Sequence, residues 1–197
     1  RFLAAAAQVL RVLPEAHFVW CGGGDLAEVA RTEAARQGIA HACHFIGHRE
    51  DARRIMAAYD IFWLTSDYEG LPIAPLEAMA LGVPIVATDV LGTRDLLCTG
   101  AGLLVPAEDT AALAQATVRL MQYPERRVQL ARAGFRYFLA QGSAEQMLEA
   151  MLHVYESLVL ERGKGIAMPY HRALFSASTL LPAAQGLPAS GIRGENP

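Results

Sequence analysis

Lysine is nearly missing from this chain of 197 residues: of its 17 basic residues, all but Lys164 are arginines. A phosphate-cradling P-loop is thereby excluded, because that loop needs a lysine directly after its glycines. Cysteine is scarce too. Cys21, Cys43 and Cys98 are odd in number and far apart, which excludes a disulfide framework or a cysteine-rich zinc site and suits a reducing, cytoplasmic setting. Charge is sparse at 19% of residues, and the formal net charge of −3 gives no basic field for nucleic acid. No apolar run approaches the ~20 residues that a membrane-spanning helix needs. The opening RFLAAAAQVL has the leading arginine and alanine-rich core of a signal peptide. Arg11 interrupts it, however, and the amphipathic pattern continues through Val12 and Leu13. An initiator methionine is also missing, which suggests a piece cut from a longer protein.

One local absence raises a sharper question. From Ile55 to Thr93 there are five acids and no lysine or arginine. In the middle of this stretch lies EGLPIAPLEAMALGVPIVATD, where Glu69 and Glu77 sit eight positions apart around a proline-bearing turn. A buried carboxylate needs a hydrogen-bond donor or a cation. Where neighbouring sequence supplies neither, a ligand is one source.

What is present is an alternating pattern. Hydrophobic residues make up 53% of the chain, enough for one domain with a substantial core. Helical periodicity over 2–13 ends at Pro14. The segment HFVWC (17–21) reads as a buried strand, and after its three glycines Asp25 can cap a helix running to Gly38. Further strands are expected at 43–47, 61–66, 84–88 and 102–106. Helices are expected at 50–58, from Pro75 to Gly82, and from Asp109 to about Leu160. Strands alternating with helices imply βαβ units and a mainly parallel sheet in a doubly wound, Rossmann-like α/β fold. In such folds ligands bind beyond the carboxyl ends of the strands. There the glycine triplet, the DYEGLPIA loop and the DVLGT loop (89–93) should gather. From Gly163 the sequence turns rich in Pro, Gly, Ser and Ala, so residues 161–197 read as a flexible tail after a domain of residues 1–160.

Several candidate sites have plain explanations. The glycines of GGGD are adjacent, unlike the spaced glycines of a dinucleotide fingerprint, and favour a tight strand-to-helix turn. HACHFIGH places His41, Cys43, His44 and His48 close together, but Cys43 and His44 point to opposite faces of a strand. Glu77 divides between two roles: ligand binding, or stabilising the start of a helix whose first residue would be Pro75. Glu69 is harder to explain structurally, since it lies in a loop beside Gly70, where backbone can approach a ligand closely. The unpaired amides at the start of the Pro75 helix form an anion site. A phosphorylated ligand there would still need cations from elsewhere in the chain or from missing sequence.

SDYEGLPIAPLEAMALGVPIVATDVLGT resembles the signature of retaining GT-B glycosyltransferases, specifically the group 1 (family 4) enzymes that include sucrose and mannosyl transferases. The likeness runs from about residue 1 to 160. It includes the glycine-rich turn, the HFIG strand, Tyr59-Asp60 and the two glutamates separated by seven residues. It implies a fold of two doubly wound domains facing a cleft, of which this chain matches the carboxyl-terminal, donor-binding half without its first strand. The implied partners are a nucleotide-sugar donor and a missing amino-terminal acceptor domain. By that resemblance Glu69 is the catalytic residue at the reacting sugar. Gly70, Leu71 and Pro72 offer backbone to sugar and phosphate, Ile73 borders the nucleotide, Glu77 accepts from the ribose hydroxyls, and Arg49 lies near the nucleobase edge. No metal or other cofactor is implied.

Two departures stand out: the family usually has glycine at Leu91 and glutamate at Asp95. Family members also carry an arginine and a lysine that hold the diphosphate, at positions that would precede Arg1. The fragment alone is therefore expected to be inactive, and any attachment to the inner membrane face would depend on absent regions. Rival readings are half of a nucleotide-sugar epimerase, or a non-catalytic nucleotide-binding remnant. A glycosidase using both glutamates is disfavoured, because it needs one carboxyl of raised pKa.

Overall fold

The computed structural model describes residues 1–162. The chain runs α1 (Phe2–Leu10), β1 (Phe18–Cys21), α2 (Ala27–Arg36), β2 (Cys43–Gly47), α3 (Ala52–Met56), β3 (Phe62–Leu64) and α4 (Ile73–Ala80). It continues through β4 (Ile85–Thr88), α5 (Leu91–Leu97), β5 (Leu103–Val105), α6 (Thr110–Gln122), α7 (Pro124–Tyr137) and α8 (Ala144–Arg162). The chain divides into two units, residues 1–156 and 157–197; the described part of the second is the end of α8. The expected tail lies outside the described residues, apart from 161–162, which belong to α8. No described helix is long and apolar enough to cross a membrane.

All strand pairs are parallel. They form a two-stranded sheet, β1-β2, and a three-stranded sheet, β3-β4-β5. β4 shows why helices cover both faces of the larger sheet. Its four residues are all buried. Ile85 and Ala87 pack with Ala78 and Met79 of α4 and with Leu96 and Leu97 of α5. Val86 points the other way, to Ala5 of α1 and to Leu113 and Leu120 of α6. A strand buried on both faces has no use for alternating polar residues, hence the unbroken apolar run. The two sheets are joined by aromatic side chains rather than by a ladder. The Trp63 ring of β3 lies 5.2 Å from that of Phe18 in β1, and Phe2 of α1 packs edge-on against Trp63 at 5.6 Å and Trp20 at 5.4 Å. The Trp63 indole N–H donates to Thr117 Oγ1 on α6 at 2.8 Å, so this partly buried polar group is satisfied.

Three local expectations are corrected. First, α4 starts at Ile73, not Pro75. Pro72 stands before it as an extended cap, with φ −73° and ψ 125°, and Pro75 falls third in the helix. Within the first turn its missing N–H costs no intrahelical bond. Glu77 is consequently the fifth residue, beyond the turn where the helix dipole favours a carboxylate. Second, Asp25 does not cap α2; the cap position is Leu26, without a side-chain bond. Third, DVLGT is not wholly loop, because α5 begins at Leu91. The Thr93 hydroxyl accepts from the Val90 N–H at 3.0 Å, which lets a short helix start on a sequence of turn-forming residues. The end of α4 follows expectation. Gly82 takes φ 68°, and Val83 N–H reaches back to the Ala78 carbonyl at 2.8 Å.

Candidate functional site

Within each sheet the strands are parallel, so the loops after them emerge along one edge of that sheet. Backbone bonds hold these loops in pairs. Gly22 N–H donates to the Gly47 carbonyl at 2.8 Å, joining the ends of β1 and β2, and Asp89 N–H donates to the Val105 carbonyl at 2.8 Å. Between them, Gly92 N–H of α5 donates to the Glu69 carbonyl at 3.2 Å.

The five acids of the base-free stretch are not left unpartnered. Arginines from outside the stretch reach four of them. Arg127 lies 3.3 Å from Asp60, Arg53 lies 3.7 Å from Glu77, and Arg94 lies 2.7 Å from Asp89. Arg1 pairs with Asp67 and also with Glu108, at 2.5 Å for the latter. Glu69 is different: among the described ion pairs it has no cation. Its carboxylate accepts from the Ser66 hydroxyl at 2.6 Å, and the residue is half-buried. Glu77 is also half-buried, its side chain 35% exposed beside Arg53. Neither carboxylate is fully turned to solvent, and neither is sealed in the core.

The other expected residues fall into two places. Gly70, Leu71, Pro72 and Ile73 follow Glu69 directly. Pro72 is buried and anchors the loop, while Leu71 is 66% and Ile73 61% exposed, leaving apolar side chains open at the edge. Arg49 stands apart, after β2, in a shallow depression with His48, Glu50 and Asp51. It forms a two-pronged pair with Asp51, at 2.8 and 2.9 Å. That hydrogen bond holds the Asp51 carboxyl below its ordinary range, as Arg94 does for Asp89.

Reading the sequence missed four residues that build the Glu69 site: Ser66, Thr88, Gly92 and Thr93. Ser66 is three positions from the glutamate, an ordinary spacing for a loop hydroxyl to close a turn. Gly92 had no local signal, because its constraint comes from a loop 23 residues earlier: a Cβ there would stand 2.8 Å from the Glu69 carbonyl oxygen. Arg53 was likewise invisible as a partner of Glu77, since α3 and α4 meet only in the fold.

Comparison with known proteins fits this architecture. A family model, "Glycosyl transferases group 1", matches residues 1–123. The mannosyltransferase LpsB of lipopolysaccharide core biosynthesis from Rhizobium meliloti is 33% identical over 132 residues, covering 66% of this chain and 38% of that protein. This chain thus spans well under half of that relative. Among solved structures, Anabaena Alr3699/HepE in complex with UDP superposes with a TM-score of 0.73 at 20% identity, over 80% of this chain and 45% of that one. The carboxyl-terminal domain of LpcC, a group 1 family protein from Francisella tularensis, superposes at 0.64 and 23% identity, over 73% of this chain and 78% of that one. The fold is therefore that of a GT-B carboxyl-terminal domain, and the chain belongs to the group 1 glycosyl transferase family.

Proposed function

We propose that this chain is the donor-binding half of a retaining glycosyltransferase, which moves a sugar from a nucleoside diphosphate to an acceptor held by a separate amino-terminal domain. The observation that carries the reading is the singular state of Glu69. Four of the five acids between Ile55 and Thr93 are paired with arginine, while among the described residues Glu69 keeps only a neutral hydroxyl partner at the carboxyl edge of the sheet. A carboxylate in that setting suits the hydroxyls of a sugar ring and the positive charge that develops at its reacting carbon. Glu77 takes the ribose hydroxyls, with Arg53 on its other side. Gly70 to Pro72 offer backbone, and the exposed Ile73 borders the nucleotide. Arg49 stands near the base. Retention follows if the leaving diphosphate and the incoming hydroxyl use one face of the sugar. The charge of the leaving group is offset by arginine and lysine side chains and helix amides rather than by a metal.

The sheet topology supports a further part of the reading. β1 and β3 each pair on one side only among the described residues. A strand preceding α1 would pair with both. Titration calorimetry of the chain, with and without such a preceding segment, against UDP-, GDP- and ADP-sugars tests the assignment. Measurable binding of one nucleotide-sugar class, tighter with the segment present, supports it. No binding to any class in either form contradicts it.

A further inference from the structure

Beneath the Glu69 loop lies a chain of buried hydroxyls. Thr93 is fully buried and Thr88 is 2% exposed. The Thr88 hydroxyl donates to the Ser66 carbonyl at 2.6 Å. The Thr93 hydroxyl accepts from Val90 N–H and lies 2.5 Å from the Thr88 carbonyl and 2.9 Å from the Val90 carbonyl. One residue away, Gly92 presses on the same loop: a Cβ there would stand 2.7 Å from the Gly70 carbonyl carbon and 2.8 Å from the Glu69 carbonyl oxygen. Its N–H donates to that same oxygen. Real Cβ atoms do not approach backbone so closely, so only glycine lets the loop settle on α5. The Ser66 hydroxyl then donates directly to the Glu69 carboxylate at 2.6 Å.

We infer that Thr88, Thr93 and Gly92 form a seat that fixes the height of the Ser66–Gly70 loop, and that Ser66 is a positioning residue that aims the Glu69 carboxylate. The inference rests on Glu69 being the sugar-facing group. It adds how the carboxylate is held: buried hydroxyls in a low-dielectric setting have few alternative partners, so each bond in the chain restricts the next. A half-buried carboxylate with no cation beside it would otherwise turn toward water.

Two measurements on the chain as it stands keep the seat and the sugar separable. Amide hydrogen exchange reports the seat without any ligand. Thr88→Val keeps the side-chain shape but removes the hydroxyl, and it is expected to speed exchange at the Gly92 amide by about tenfold while the Val86 amide of β4 stays protected. Ser66→Ala is expected to speed Gly92 exchange less, and Ser66→Thr not at all. Unchanged Gly92 exchange in Thr88→Val, or acceleration shared equally with Val86, overturns the seat. Calorimetry with UDP-glucose and GDP-mannose against plain UDP and GDP reports the aim. Ser66→Ala is expected to weaken the sugar nucleotide about tenfold and leave the plain nucleotide unchanged, with Ser66→Thr restoring the parent value. Equal losses for both ligands, or no loss for either, overturn the role of Ser66. If the parent binds neither class, with or without the preceding segment, the donor reading itself fails, and hydrogen exchange still decides whether the seat exists.

Discussion

A carboxylate is defined by the donors that reach it, and this chain contrasts two kinds. On α2, Glu33 accepts from Arg36 at 2.6 and 2.7 Å and from Gln37 at 2.6 Å. The Arg36 hydrogen bond, helped by Gln37, lowers the Glu33 carboxyl from 4.5 to about 2. A depressed value in the folded state means that the contribution is present above 4.5 and is lost as pH falls through about 2. Carbon-detected NMR titration should therefore show Glu33 still ionised well below the ordinary carboxylate range, and Arg36→Ala should return it toward 4.5. Glu77 is expected to behave differently. On the proposed reading Glu77 accepts from the ribose hydroxyls, so Glu77→Gln should weaken plain nucleotide binding by roughly tenfold, a loss typical for a hydrogen bond to a charged group. Arg53→Ala should change that affinity little, since the ion pair is 3.7 Å long and the Arg53 side chain is 75% exposed. Calorimetry with the nucleotide that binds best reads both.

At the scale of the element, the sequence was most legible where one residue type has one conformational use. Gly82 ends α4 because its φ of 68° suits glycine and few other residues. Gly82→Ala should cost about 1 kcal/mol in urea unfolding, without changing the slope of the transition. The strands were legible as apolar runs because both faces of the sheet are covered. Helix starts were less so. Pro75 signals a first turn but not which position within it, so the start of α4 was misplaced by two residues. The start of α5 escaped because Gly92 reads as a turn former, and the Thr93 hydroxyl bonding the Val90 backbone marks the helix beginning there. Thr117 accepts from the Trp63 indole and itself donates to the Leu113 carbonyl at 2.9 Å. Thr117→Val keeps the volume but strands the indole N–H, which should cost roughly 1–3 kcal/mol by chemical unfolding.

For the whole molecule, what the sequence could not display is pairing over long distances. The base-free stretch from Ile55 to Thr93 looked starved of cations, yet Arg127 reaches Asp60 and Arg1 reaches Asp67 across the fold. Those pairings remove most of the apparent need for a ligand and leave it concentrated on Glu69. The division into two parallel sheets was equally hidden, because strand order is set by which edges meet and not by the composition of any strand. The family pattern around Glu69 and Glu77 was legible from the residues alone; the hydroxyls and the glycine that position Glu69 were not. The most direct test of the central claim is sugar transfer by the complete polypeptide carrying Glu69→Gln. Turnover is expected to fall by about a hundredfold or more, the scale of losing one preorganised electrostatic contact in a transition state, while plain nucleotide affinity stays within about twofold. A Glu69→Gln protein that transfers sugar at the parent rate would contradict it.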